Sequence, residues 1–173
     1  MPAERELMEP ILVRYKGFYD YHGLYQMLRD WCKKHHMKLY ENVFKEKPAT
    51  HGGMETELKW HANRRETPFV KYHIDFKVTI TDNQPVEVVH NGEKKSLYKG
   101  RIEFRADSWL EYDWTQQYKG WASKFFLWLI WKKIMFWEWK IKHEDTLNDL
   151  LSVLSEDVKK FLNMYQHSGF WYG

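Results

Sequence analysis

The stretch Val70-Lys71-Tyr72-His73-Ile74-Asp75-Phe76-Lys77-Val78-Thr79-Ile80 decides the fold of this protein. Six apolar or aromatic residues alternate with five polar ones without interruption. Because successive side chains of a β-strand point to opposite faces, this pattern predicts a strand with one buried and one solvated side. We expect the even-numbered residues to face the core.

The same alternation appears on both sides of this strand. Residues 54–62 place Thr56, Leu58 and Trp60 on one side, and residues 102–112 begin with Ile102 and Phe104 on one side. Between 70–80 and 102–112, residues 81–85 predict a turn, and Asn91-Gly92 is a strong hairpin signal between strands at 86–89 and 94–98. Two further strands are predicted at 11–15 and 39–47.

Two helices complete the predicted elements. Asp20 is a suitable N-cap for a helix over 21–36, whose apolar residues share one face. A C-terminal helix is predicted to begin at Asp145 or Thr146 and to end before Gly169. Its apolar residues recur at helical spacing: Leu147, Leu150, Leu151, Leu154, Val158, Phe161 and Leu162.

Length and composition indicate one domain. The chain has 173 residues, a formal net charge of +3 and an aromatic content of 18%, and a chain of this size buries enough surface for a single core. We expect residues 1–173 to form that domain, with flexible termini at 1–9 and 166–173. The single cysteine, Cys32, excludes an intrachain disulfide, and the charged N-terminus does not resemble a signal peptide. These features favour a cytoplasmic protein.

The order of predicted elements, from residue 11 to residue 162, resembles the helix-grip arrangement of START and Bet v 1-like proteins. This resemblance implies an α+β fold in which an antiparallel, curved sheet of about six strands packs on a long C-terminal helix, with an N-terminal helix after the first strand. In that family the sheet often encloses an apolar ligand cavity. The overall texture also resembles small archaeal proteins, which implies no activity.

The aromatic side chains predicted to face inward suggest the leading function. Trp60, Tyr72, Phe76 and Phe104 are expected to line a core or a narrow cavity. We therefore expect a non-enzymatic binding protein for an apolar small molecule. The structural alternative is that these residues only form a bulky core.

A second hypothesis rests on the aromatic segment 121–139. Its longest apolar run has seven residues, far fewer than the roughly 20 that span a bilayer, and its lysines do not gather on one helical face. Exposed aromatic residues mark partner sites, so Trp128, Trp131, Phe136 and Trp137 are candidates for binding a protein partner or a second copy of the chain. Packing of this segment into the core is the alternative.

A third hypothesis is an RNA-associated protein. Basic residues recur along 59–77, and Arg64, Arg65 and Lys71 are the candidates for nucleic-acid contacts. Interspersed acidic residues and the mild net charge favour instead a solvated, mixed-charge face.

The sequence supports neither catalysis nor a cofactor. Cys32 lies on the apolar side of its predicted helix, which favours an inert buried thiol, and the serines stand in no nucleophile motif. His61 and His73 fall on the polar sides of two predicted strands, where Glu57 or Asp75 would complete a zinc site if the strands are neighbours. Because no metal-binding spacing accompanies them, the pattern favours ordinary surface histidines. We expect no metal.

Overall fold

A computed structural model describes residues 4–48, 54–90, 93–115 and 136–162. Over these residues the fold is α+β, with a curved, unclosed, antiparallel sheet of six strands and, outside the sheet, two helices. The elements in chain order are β1 (Glu4–Leu7), β2 (Ile11–Tyr19), α1 (Tyr21–Lys34), β3 (Lys38–Pro48), β4 (Met54–Arg65), β5 (Val70–His90), β6 (Glu93–Tyr112) and α2 (Phe136–Phe161).

The sheet is built around β5 and β6, its two longest strands. The strand order is β1-β6-β5-β4-β3, and β2 also pairs with β6. Thus β1 and β2 lie in succession along one side of β6: β1 pairs opposite 109–112 and β2 opposite 98–106. The sequence does not predict β1, which has only four residues.

The side of the sheet that the sequence predicts to be buried is buried. Leu58 and Trp60 of β4, Ile74 and Phe76 of β5, and Phe104 of β6 are each at most 4% exposed. We call this side the inner face, because both helices pack against it. The opposite side, the outer face, carries mostly charged residues.

Residues 81–85 do not form the predicted turn, and this expectation is wrong. β5 continues through them with one additional residue, since Thr81 pairs with Arg101 but Gln84 pairs with Lys99. Asp82 adopts a positive φ of 58°, so the turn-forming residues produce a β-bulge instead. Opposite the bulge, Gly100 is required: a Cβ there would lie 2.9 Å from the Thr81 carbonyl oxygen.

α1 follows its sequence signals closely. The Asp20 side chain accepts a hydrogen bond from the Gly23 backbone N–H at 2.9 Å, as expected of an N-cap. The helix buries Leu24, Leu28, Trp31 and Cys32 against the sheet. It ends at Lys34, and His36 turns the chain toward β3 with a φ of 55°.

α2 begins earlier than the sequence predicts. The helix already includes Phe136, so neither Asp145 nor Thr146 is its N-cap. The hydroxyl of Thr146 donates to the Lys142 carbonyl oxygen at 2.7 Å, a back-bond that lets threonine sit inside a helix. The predicted core side is correct, because Leu147, Leu151 and Leu154 are at most 2% exposed. Of the described helices, none is long and apolar enough to cross a bilayer.

Candidate functional site

The four aromatic residues proposed from the sequence to line a core or cavity all lie on the inner face. Trp60 of β4 pairs opposite Phe76 of β5, and the Phe76 and Phe104 rings are 6.2 Å apart. Tyr72 lies farther along β5. All four side chains are at most 2% exposed, so they form part of the hydrophobic core.

Helix side chains cover three of these residues directly. Tyr25 of α1 meets the Trp60 ring edge-on at 4.7 Å, and Trp31 of α1 meets Phe76 at 6.4 Å. From α2, His143 Nδ1 is hydrogen-bonded to the Tyr72 hydroxyl at 2.6 Å.

One end of the inner face, next to the N-terminus of α1, is rich in tyrosine. We call Tyr19, Tyr21, Tyr25 and Tyr98 the tyrosine cluster. The Tyr98 ring lies 6.4 Å from Tyr19 and 5.8 Å from Tyr21. The Tyr19 hydroxyl donates to Asn83 Oδ1 at 2.9 Å, which ties the cluster to the bulge of β5.

Two buried hydroxyl groups at this end lack a hydrogen-bond partner in the described part of the chain. They are Tyr21 Oη and Thr56 Oγ1. Thr56 is only 1% exposed and sits on the inner face of β4, directly opposite Glu46 of β3. Leaving a buried hydroxyl unpaired costs about 1–3 kcal/mol, so such groups in native proteins usually have a partner.

The electrostatics of the tyrosine cluster favour neutral phenols. Burial, reinforced by the nearby Glu46 carboxylate, raises the pKa of Tyr21 to about 12. The Tyr25 hydroxyl donates to Glu41 Oε1 at 2.7 Å, and this hydrogen bond, followed by burial, raises its pKa. The edge of the cluster along β3 is therefore acidic, while its hydroxyls remain hydrogen-bond donors.

Apolar side chains at the rim of this region stay exposed. Phe44 of β3 is 59% exposed and Met54 of β4 is 42% exposed. The register places Phe44 opposite the inward-facing Leu58, so Phe44 also belongs to the inner side of the sheet. Small-molecule sites combine apolar lining with a few polar groups, and this part of the inner face offers both kinds of side chain.

Two of the four residues proposed for a protein partner fall outside the described residues. Trp128 and Trp131 lie in the segment 116–135, which the structure does not describe. Phe136 and Trp137 open α2, where only the backbone is described.

The residues proposed for nucleic-acid contacts do not share one face. Arg64 turns to the inner side, where its guanidinium lies 5.2 Å from the Tyr72 ring and donates to the His35 carbonyl oxygen. Its guanidinium also pairs with Glu66 at 2.8 Å. Arg65 lies over the Trp114 ring at 4.6 Å, and Lys71 pairs across the ladder with Glu111. Arg65 and Lys71 lie directly opposite each other on β4 and β5, but Arg64 does not share their face.

The outer face contains a chain of four hydrogen-bonded ionisable groups, which we call the histidine relay. Asp75 Oδ1 lies 2.6 Å from His61 Nδ1, and His61 Nε2 lies 3.2 Å from His73 Nδ1. His73 Nε2 lies 2.8 Å from Glu111 Oε2. Trp109 stacks on His73 with ring centres 3.7 Å apart, which helps to bury the imidazole.

The relay confirms one juxtaposition that the sequence suggested, since His61, His73 and Asp75 do meet across β4 and β5. Glu57 does not join them, because its carboxylate pairs with Lys59 and Lys77. Among the residues described, no group of three or more ligating side chains is arranged to hold a metal ion.

Cys32 is 1% exposed, and burial raises the pKa of its thiol to about 12.

Sequence reasoning missed Thr56, Tyr21 and Glu111. The alternation of residues 54–62 places Thr56 on the correct side of β4. No local sequence signal shows that its hydroxyl lacks a hydrogen-bond partner among the described residues. Glu111 enters the relay because β5 pairs with β6 in a register that long-range contacts determine. The alternation along β6 would have placed it on the outer face.

The chain matches no protein-family model, no curated protein and no solved structure.

Proposed function

We propose that this protein is a non-enzymatic binding protein that takes a small, largely apolar ligand at the tyrosine cluster. The observation that carries the proposal is the pair of buried hydroxyls, of Thr56 and Tyr21, that have no hydrogen-bond partner among the described residues. They lie in an aromatic part of the inner face. The helix-grip resemblance supports the same proposal, since that arrangement often binds apolar ligands between sheet and helix.

The lining suggests how the ligand is bound. Aromatic rings of Tyr21 and Tyr98 and the exposed Phe44 offer apolar contacts, each worth about 25 cal/mol per Å² of area removed from water. The two hydroxyls would then orient the ligand by hydrogen bonds. A few fixed polar groups in an apolar wall are the usual source of specificity in such sites.

The charge of the site narrows the class of ligand. Glu41 and Glu46 approach the cluster from β3, and the phenols stay neutral because burial raises the pKa of Tyr21 to about 12. A carboxylate ligand would meet like charge from Glu41 and Glu46. The ligand should therefore carry a neutral hydrogen-bonding group or a positive charge on its apolar body.

A matched set of probes tests this specificity. We expect an alkyl alcohol or alkylamine to bind more tightly than the carboxylate of equal chain length, as measured by calorimetric titration. Thr56→Val keeps the shape of the side chain but removes the hydroxyl. This variant should weaken binding of the alcohol about 5- to 20-fold, the equivalent of one hydrogen bond. It should not lower the stability of the free protein, because the hydroxyl has no hydrogen-bond partner within the part of the chain that the structure describes.

Thr79→Val, on the outer face of β5, is the control and should leave binding unchanged. Native mass spectrometry of the purified wild type tests for a retained natural ligand. The proposal fails if no probe binds and the spectrum contains only bare polypeptide. It also fails if Thr56→Val and Thr79→Val bind every probe as the wild type does.

A further inference from the structure

The three hydrogen-bond contacts of the histidine relay, on the outer face, need more protons than two neutral imidazoles and two ionised carboxylates supply. Four groups are joined by three short contacts of 2.6, 3.2 and 2.8 Å. Each contact needs one proton between its two heavy atoms, because two facing lone pairs repel. Two neutral imidazoles supply two protons, and ionised carboxylates supply none.

None of the four tautomer combinations removes the deficit. If both imidazoles donate outward, to Asp75 and to Glu111, then His61 Nε2 and His73 Nδ1 face each other without a proton. If His73 instead donates to His61, its Nε2 faces the Glu111 carboxylate at 2.8 Å without one. In every arrangement one contact lacks its proton unless the relay holds a third.

We propose that Asp75, His61, His73 and Glu111 form a proton-binding site that retains one shared additional proton at neutral pH. The proton offsets part of the charge of two carboxylates. The ligand of this site is the proton itself, independent of the apolar ligand proposed for the inner face.

Exposure and burial indicate where the additional proton resides. His73 is 4% exposed, and burial lowers its pKa to about 4. The His61 side chain is 23% exposed and lies against Asp75, so the end of the relay at His61 and Asp75 exchanges the proton with water.

Several other charged or titratable groups face the relay from the neighbouring strands. The Tyr40 ring of β3 lies 6.2 Å from His61. Lys71 of β5 opposes protonation of His73 by its charge. Lys59 and Lys77 are paired with Glu57, and Arg105 is paired with Asp107. Because these basic groups are already paired with other carboxylates, the charges that stabilise the additional proton are those of Asp75 and Glu111.

The proposal predicts a specific pH dependence of stability. Above about pH 6.5 the histidines of the unfolded chain are neutral, so the native state binds one proton more than the unfolded state. The unfolding equilibrium constant should then rise up to tenfold per pH unit as pH increases. This rise should stop once the native relay releases its proton, and it is absent below about pH 6.5.

His61→Gln removes one imidazole of the relay but keeps a side chain that forms hydrogen bonds. In chemical denaturation from pH 6.5 to 9, the variant should lose the rise that the wild type shows. His22→Gln, on the exposed side of α1, is the control and should retain it. Equal pH dependence in wild type and His61→Gln would overturn the proposal.

Ring-nitrogen NMR of the wild type gives a second readout that does not depend on a variant. At pH 7.5 we expect the relay to hold three protons, counted on the ring nitrogens of His61 and His73 and, from side-chain carboxyl ¹³C shifts, on Asp75 and Glu111. Two neutral rings beside two ionised carboxylates would contradict the proposal. Stoichiometric Zn²⁺ binding that His61→Gln abolishes would also overturn it, because a metal ion would then occupy the position assigned to the proton.

Discussion

At the scale of single residues, the most informative contact is the hydrogen bond between Tyr72 and His143. It joins β5 to α2 inside the core at 2.6 Å, far from either chain end. Burial raises the pKa of Tyr72 to about 12 and lowers the pKa of His143. Both partners are therefore neutral near pH 7, and the bond carries no net charge into the core.

Tyr72→Phe should destabilise the protein by about 1–2 kcal/mol, because the aromatic packing is retained while a buried hydrogen bond is lost. The measurement is the urea midpoint at pH 7.5. Tyr40→Phe is the matched control, since the Tyr40 side chain on the outer side of β3 is half-exposed, and its midpoint should stay unchanged. Equal midpoints for Tyr72→Phe and Tyr40→Phe would contradict the role assigned to this contact.

At the scale of elements, the bulge in β5 organises the sheet near the tyrosine cluster. The additional residue shifts the register with both neighbours, between Met54 and Thr56 on β4 and between Arg101 and Lys99 on β6. Gly100 lies against this irregularity, so the backbones of β5 and β6 approach closely there.

Gly100→Ala should cost about 1–3 kcal/mol, because the new methyl group meets backbone rather than a movable side chain. For a chain of this size that corresponds to a fall in Tm of about 2–4 °C per kcal/mol. Arg101→Ala is the control: its ion pair with Asp82, at 3.7 Å, is exposed and should contribute little. If Gly100→Ala and Arg101→Ala have the same Tm, the bulge accommodates the added methyl group without strain.

The sequence predicts elements well where one local pattern is sufficient. The alternation of residues 70–80 and the Asp20 cap are confirmed. Prediction from the sequence fails where tertiary contacts determine the structure. Residues 81–85 are turn-forming types, but they make a bulge because β5 stays paired with β6 on both sides of them. Local pattern likewise placed His61 and His73 on the outer side, but their partnership with Glu111 depends on strand order.

At the scale of the whole molecule, α2 holds the inner face together. Its apolar side includes Leu147, Leu151, Leu154 and Val158, each at most 2% exposed. These leucines and this valine join the same hydrophobic cluster as the sheet and α1. Because one core connects all three, loss of packing on α2 should weaken the entire fold.

Leu154→Ala should destabilise the protein by about 2–5 kcal/mol, the usual cost of truncating a buried leucine. Val153→Ala, one residue away and 42% exposed, should change stability by less than about 0.5 kcal/mol. Far-UV circular dichroism and tryptophan fluorescence should report the same transition midpoint for each variant. Two separated transitions would mean that α2 and the sheet unfold independently.

The hairpin formed by β5 and β6 extends past the end of β4, since Asn83 is the last residue of β5 paired with that strand. From residue 86 to residue 90, opposite 93–97, β5 and β6 pair only with each other among the described strands. A two-stranded ribbon is marginally stable by itself, so opening it breaks few contacts. Amide hydrogens of this ribbon should therefore exchange with deuterium through a local opening, while those of residues 72–80 wait for global unfolding.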